Sequence, residues 1–481
     1  MRIIPIYSWN KSLHRINLTG KHFIHQPWAG GVTLLCCVIV AMLLANLPGT
    51  RHLYHAFLET DLSMSIQSPI DPETGCRAID WTFPRNMTVE KFINDILMVI
   101  FFFTVGLEIK REVVCGELSS VKKALLPVIA AVGGMLMPAL IYAMFNQGTT
   151  TAGGWGIPTA TDIAFAIGIM SILGNRVPIS LKIFLTALAI ADDLGAILVV
   201  AIFYGGSINM GLLLIALLLI ALVIIMNQLG EKHVSYYWAP AICIWFLFYY
   251  SGIHATMSGV VMAFLIPMDA RFGKPFLERN IKKYSRRLNE FDGLNAEEPF
   301  PNALQRHCLR RFSYITNNTI GMSYRLEHAL NPWVNFLIMP IFALANAGVV
   351  IPDASFFNIF RQLPGIEGAG FVGMGIYFGL LLGKPVGITL ASWLAIKSRI
   401  GAMPEGASWA MLFAVACLGG IGFTMSIFVD TLSFGELAPQ VTDTLRSSGK
   451  IAVLLGSLSA GLLGSLLITV VDKVSAARGK Q

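Results

Sequence analysis

The sequence predicts an all-α polytopic membrane protein, and two observations carry that reading. Hydrophobic residues make up 55% of the 481 residues and charged residues only 13%, which excludes a soluble enzyme built around one large core. Apolar runs then recur at close to the roughly 20 residues a helix needs to cross a bilayer. We read about twelve of them: 28–47, 91–110, 124–146, 157–173, 179–204, 210–227, 236–250, 253–267, 332–350, 371–396, 406–430 and 447–471. The runs are continuously apolar and do not alternate lipid-facing with lumen-facing residues, so they read as helices rather than barrel strands.

The chain divides accordingly into an N-terminus (1–27), a first membrane segment (28–267) that includes the loop 48–90, a basic loop (268–330), a second membrane segment (331–471) and a tail (472–481). Residues 1–27 carry Arg2, Lys11, Arg15 and Lys21 and are too polar for a cleaved signal peptide, so the first span stays. Lys and Arg return at Lys110, Arg111, Lys122, Lys123, Lys232, Lys397 and Arg399, through 268–330, and in the tail at Lys473, Arg478 and Lys480. Loops of the other parity are poor in them; 48–90 holds Arg51, Arg77 and Arg85 against six acids. The positive-inside rule then makes both termini cytoplasmic. The net charge of +7 reflects this topology and requires no nucleic-acid partner. Of seven cysteines, Cys76 is alone outside, and neither a disulfide framework nor a metal-ligand spacing is visible.

Taken in chain order, 48–90 carries Pro69, Pro72 and Pro84 and could fold as a small outer cap or hairpin. In the second span Asp95 lies near the outer end. Glu108, Arg111 and Glu112 share a helix face at the inner end by their i, i+3, i+4 spacing, either as a headgroup-level ion cluster or as a cation-attracting, pH-sensing funnel. The fourth span contains Gly156-Ile-Pro158-Thr-Ala-Thr161-Asp162, and the eleventh Gly419-Gly420-Ile421-Gly422. Gly and Pro here free backbone groups that lipid cannot satisfy, so the breaks must face protein or water. Paired interruptions are a sequence pointer to a transporter's site, with close packing by small residues as the plainer alternative.

The fifth span holds Asp192 and Asp193 side by side. Ionisable groups at membrane depth mark ion and proton paths, and a pair that carries a proton and yields it to a cation is the chemistry of an exchanger. Adjacent helix positions diverge by roughly 100°, so one carboxylate faces the ion while the other faces Lys384 or carries a second proton. Lys384, in Gly383-Lys384-Pro385 at the middle of the tenth span, needs a carboxylate partner, and Asp162, Asp192 and Asp193 supply one. Thr161 and freed carbonyls add oxygen ligands of the kind hard cations take.

His254 opens the eighth span as a structural or pH-sensing residue. Residues 268–330, with eleven Lys/Arg against seven Asp/Glu, read as a solvated, partly disordered linker near anionic headgroups or as a regulatory segment. Glu327-His328 is a charge cluster or a regulatory element, and Asn346 reads as a helix-packing amide.

These residues together resemble the NhaA family of sodium/proton antiporters. The resemblance is carried by Ala160-Thr161-Asp162-Ile-Ala-Phe, Leu-Ala-Ile-Ala-Asp192-Asp193-Leu-Gly-Ala-Ile, Val-Gly106-Leu-Glu108-Ile-Lys-Arg111-Glu112, Gly383-Lys384-Pro385 and Gly420-Ile-Gly422-Phe-Thr-Met-Ser-Ile-Phe. It implies twelve spans in a bacterial inner membrane, with inverted repeats whose two discontinuous helices cross at mid-membrane. It further implies Asp193 as the main ion carboxylate, Asp192 or Lys384 as second proton carrier, and Asp162 with Thr161 beside the site. Glu108, Arg111, Glu112, Glu327 and His254 match positions tied to pH response. A homodimer is expected from the resemblance, and contacts to anionic lipids from the basic segment 268–330. The chain departs from the family in an extended 268–330, in a longer 48–90, and in Asn331 where the family can carry a histidine.

The expected activity is electrogenic exchange of cytoplasmic sodium or lithium for external protons. It needs no cofactor and no nucleotide, since no phosphate-cradling Gly-rich Lys-Ser/Thr loop is present. A sodium-coupled organic-anion symporter would need a roomier polar cavity. An intramembrane aspartate-dyad enzyme would draw its acids from different helices, and a passive channel would conduct without proton coupling.

Overall fold

The computed structural model describes residue 26 and residues 28–67, 80–83, 87–206, 208–290, 303–351, 371–434 and 439–478. The basic N-terminus to residue 25, Pro69, Pro72, Cys76, Arg77, Pro84, Arg85, the turn at 291–295 and Lys480 lie outside the described residues.

Apart from one short strand pair, regular structure among the described residues is helical. In chain order the helices are α1 (Ala29–Asn46), α2 (Arg51–Glu59), α3 (Val89–Cys115), α4 (Val121–Asn146), α5 (Ile163–Leu173), α6 (Ile179–Phe203), α7 (Met210–Gln228) and α8 (Ser235–Ser251). They continue as α9 (Met257–Leu265), α10 (Lys274–Glu290), α11 (Ala303–Asn318), α12 (Met322–Asn346), α13 (Val372–Lys397), α14 (Trp409–Leu418), α15 (Phe423–Ser433) and α16 (Pro439–Arg478). The strands β1 (Met64–Gln67) and β2 (Asp80–Phe83) pair antiparallel within the loop 48–90, with Met64 opposite Phe83 and Gln67 opposite Asp80.

Nine helices among the described residues are long and apolar enough to cross a membrane, or ten with the bent pair α14–α15 taken as one span. The chain is thus a multi-pass membrane protein. Two more of the twelve apolar runs form shorter helices, α8 at 17 residues and α9 at 9.

Residues 274–290 and 303–318 are helical where the sequence suggests a partly disordered linker. The reason is amphipathic spacing: Cys308, Phe312 and Ile315 recur on one helix face, and Cys308 and Ile315 are buried.

The chain forms two compact units, one from Met1–Phe101, Glu112–Gly206 and Pro332–Gln481, the other from Phe102–Arg111 and Ser207–Asn331. In the first, α4, α5, α6, α13, α14 and α16 enclose a core that includes Leu126, Phe184, Leu188, Ile388, Leu412, Val415 and Ile468. Here α4 and α13 approach at backbone distance. A Cβ on Gly387 would lie 2.2 Å from the Gly133 carbonyl oxygen, and one on Gly133 would lie 2.4 Å from the Ala391 Cβ. Only glycine allows that approach. In the second unit α7, α8, α9 and the start of α12 pack around Val223, Tyr237, Phe248, Met262 and Met322.

Candidate ion-binding site

Two apolar stretches of the first unit lose regular helical bonding part-way. A 3-10 helix over Ala152–Thr159 gives way to extended backbone at Ala160 before α5 begins. The α14–α15 pair bends by 52° at Gly419–Gly422. Each break leaves orphan backbone groups, and the two breaks satisfy one another. The Asp162 N–H donates to the Ile421 carbonyl at 2.6 Å, and the Thr161 hydroxyl donates to the Gly419 carbonyl at 2.8 Å. The Gly422 N–H finds the Ser457 hydroxyl of α16 at 3.2 Å. Glycine is required here by proximity, since a Cβ on Gly420 would meet the Leu380 carbonyl oxygen at 2.4 Å.

Asp162 is the N-cap of α5, accepting from the Phe165 N–H at 3.3 Å. Its other oxygen accepts from Thr424 twice, from the hydroxyl at 2.5 Å and the N–H at 3.2 Å. α6 delivers Asp192 and Asp193 from its middle, both buried. α13 delivers Lys384 immediately after a π-helical turn at Gly379–Gly383. Pro385 lacks the N–H that an α-helix would use at that point, and the wider turn accommodates the gap.

Lys384 is completely buried. Its ammonium donates to Asp192 Oδ2 and, at 2.9 Å, to the Thr161 hydroxyl. Thus Thr161, Asp162, Asp192, Asp193 and Lys384 are all buried polar residues of one unit, with Lys384 bonded to Asp192 and Thr161, and Asp193 and Asp162 next to these two in the chain.

The second unit gathers another set. Arg111 donates to Glu327 and stands 3.9 Å from Glu108 on its own helix. Glu327 is buried, at 5% exposure. His254 lies in the same unit, where its carbonyl accepts from Met257 at the start of α9. Glu112 belongs to the first unit, and its carboxylate accepts from the Glu117 N–H at 3.1 Å. Asp95 sits in a π-helical turn of α3, Ile93–Leu97. Beside it Asn94 and Asn346 exchange side-chain hydrogen bonds at 2.8 and 3.2 Å, and Asn346 is fully buried.

Sequence reasoning did not assign Thr424, whose two bonds hold Asp162, nor Ser457. Their one signal is a hydroxyl residue inside or opposite a glycine-rich break.

The family model described as Na+/H+ antiporter 1 matches residues 21–468. The chain belongs to the NhaA family. Relatives named "Na(+)/H(+) antiporter NhaA" include one from Acidithiobacillus ferrooxidans, 41% identical over 455 residues, covering 94% of this chain and 97% of the relative. One from Oleidesulfovibrio alaskensis is 40% identical over 452 residues, covering 94% and 93%. One from Escherichia coli is 38% identical over 455 residues, covering 94% and 97%. NhaA proteins carry the name of a sodium/proton exchange, which is transport and not enzymatic catalysis.

Proposed function

We propose that this chain exchanges cytoplasmic sodium, or lithium, for external protons by alternating access, electrogenically and under pH control. The observation that carries the reading is the buried set of Asp162, Asp192, Asp193, Thr161 and Lys384 at two helix breaks. Three carboxyl groups outnumber one ammonium there, so the charge closes only with protons or a metal cation in residence. Cation and protons then compete for the same oxygens, which is what couples their movements. In this reading Asp193 binds the ion and Asp192 is held by Lys384 until one of that pair carries the second proton. Thr161 and the carbonyls released at the breaks complete the oxygen set, and Asp162 stabilises the crossing.

The cluster Glu108–Arg111–Glu327 supports a pH-responsive element, to which Glu112 and His254 contribute. Asp95 belongs to the outer side. The reading further includes twelve spans arranged as inverted repeats, a bacterial inner membrane, cytoplasmic termini and basic loop 268–330, contacts with anionic lipids, and a homodimer.

The test is proton flux in everted vesicles from an antiporter-deficient strain, on adding sodium, lithium or potassium across a pH series. Sodium and lithium should dissipate the pH gradient, and Asp193→Asn should abolish the response. Dissipation that survives Asp193→Asn would remove that residue from the ion site. No cation response at any pH would sink the exchange reading.

A further inference from the structure

A further buried carboxyl group lies in the first unit away from the site above. Asp430, on α15, is completely buried, and neither of its oxygens has a hydrogen-bond partner among the described residues. It stands six residues beyond Thr424, roughly 9 Å along the helix. Its carboxyl is laid against bare backbone, since a Cβ on Gly449 of α16 would fall 2.1 Å from Oδ1.

The charged and titratable groups facing Asp430 come from three directions. α16 contributes Lys450 and Arg446, α4 contributes Tyr142, and the residue after α6 contributes Tyr204. Lys450 in turn faces Glu90 and Asp443. Both tyrosines direct their hydroxyl protons elsewhere, Tyr142 to the Thr151 carbonyl and Tyr204 to the Gly153 carbonyl, each at 2.8 Å. Arg446 donates to the Thr431 carbonyl at 2.5 Å. Among the described residues none hydrogen-bonds the carboxyl.

One helical turn back toward the break, on the same face of α15, sits Ser426. It is fully buried, and its hydroxyl also lacks a partner among the described residues. That hydroxyl points back at the break, where a Cβ on Gly422 would lie 2.3 Å from it. Buried polar groups without partners are rare and call for an explanation, and an intramembrane acid marks an ion or proton path. Here Gly422, Ser426 and Asp430 mark out a polar file leading from the break along α15.

We propose that Asp430 is a second proton-binding site, distinct from the Asp162–Asp192–Asp193–Lys384 set, which takes protons from the outer side and relays them past Ser426 toward the break. The direction of flow rests on the exchange reading; the existence of the site does not. A proton fits better than sodium. A hard cation takes several oxygens, whereas only one carboxyl and one hydroxyl are on offer, and a proton adds no bulk.

The test is infrared difference spectroscopy of the full-length protein in lipid, comparing acid with alkaline pH in the carboxylic-acid C=O region. One titrating band should be lost in Asp430→Asn, shifted in frequency in Asp430→Glu, and moved in its midpoint by Lys450→Met. The glutamate and methionine variants carry the test if the asparagine variant fails to fold. Spectra that are identical in wild type and all three variants would overturn the proposal. So would sodium-dependent loss of the Asp430 band in an Asp193→Asn background, which would make this a cation site. Loss of exchange in Asp193→Asn with the Asp430 band intact supports both readings. A band that persists in a wild-type protein showing no exchange upholds the proton site alone.

Discussion

Replacing Lys384 by methionine tests whether the buried pair with Asp192 holds the site together. Both residues are completely buried, and methionine refills most of the lysine volume, so no cavity term complicates the result. Removing one partner of such a pair strands a buried charge and costs about 3–5 kcal/mol. The lost bond from Nζ to the Thr161 hydroxyl at 2.9 Å adds about 1 kcal/mol. Melting of the purified protein in detergent, followed by tryptophan fluorescence, should therefore fall by roughly 5 °C or more. The deficit should be larger near pH 9 than near pH 6, because acid can supply Asp192 with a proton in place of the ammonium. The double variant Lys384→Met/Asp192→Asn leaves no stranded charge and should recover half or more of the loss. A single variant that melts with wild type, or a double variant no better than the sum of the singles, would refute the reasoning.

Two further outcomes follow from the packing and from the second unit. Gly387→Ala places a Cβ 2.2 Å from the Gly133 oxygen and 2.8 Å from the Met137 Cβ, and should cost about 1–3 kcal/mol or more. In the same melting assay Gly49→Ala, which has open space around it, should be silent. Arg111→Gln removes the charged partner of buried Glu327 at a cost of about 1.5–3 kcal/mol. It should also move the pH profile of sodium-driven proton flux while sparing the maximal rate, and an unmoved profile would detach this cluster from regulation.

Much of the architecture was legible because lipid imposes simple rules. Apolar runs announced the helices, and Asp192 with Lys384 announced each other because neither can lie alone in an apolar interior. Asn346 read as a packing amide, and it does pair with Asn94. What stayed hidden depends on contacts between distant segments. Thr424 reaches Asp162 across 262 residues, and a single hydroxyl in a glycine-rich stretch carries no signature of its partner. The π-helical turns at Ile93–Leu97, Val334–Ile338 and Gly379–Gly383 are also silent, since one extra residue per turn barely disturbs apolar periodicity. Asp430 was readable by the rule that singled out Asp192, yet it lies near the end of an apolar run, where an acid passes as an interfacial residue. Helices α10 and α11 were obscured by their basic composition, which suggested solvation more strongly than their spacing suggested folding.

The mutual stitching of the two helix breaks bears on how the chain is made. Residues 152–173 leave the ribosome long before 409–433, so the backbone at Ala160–Asp162 must wait for its partners. During that interval the Asp162 N–H and the Thr161 hydroxyl lack the Ile421 and Gly419 carbonyls that later receive them. The nascent protein therefore carries an open polar seam within the bilayer until the segment 409–433 inserts. Water, the translocation machinery or temporary helical pairing has to shield that seam. Chains truncated before residue 409 should consequently be prime substrates for membrane quality-control proteases, even though most of their apolar helices are already in place.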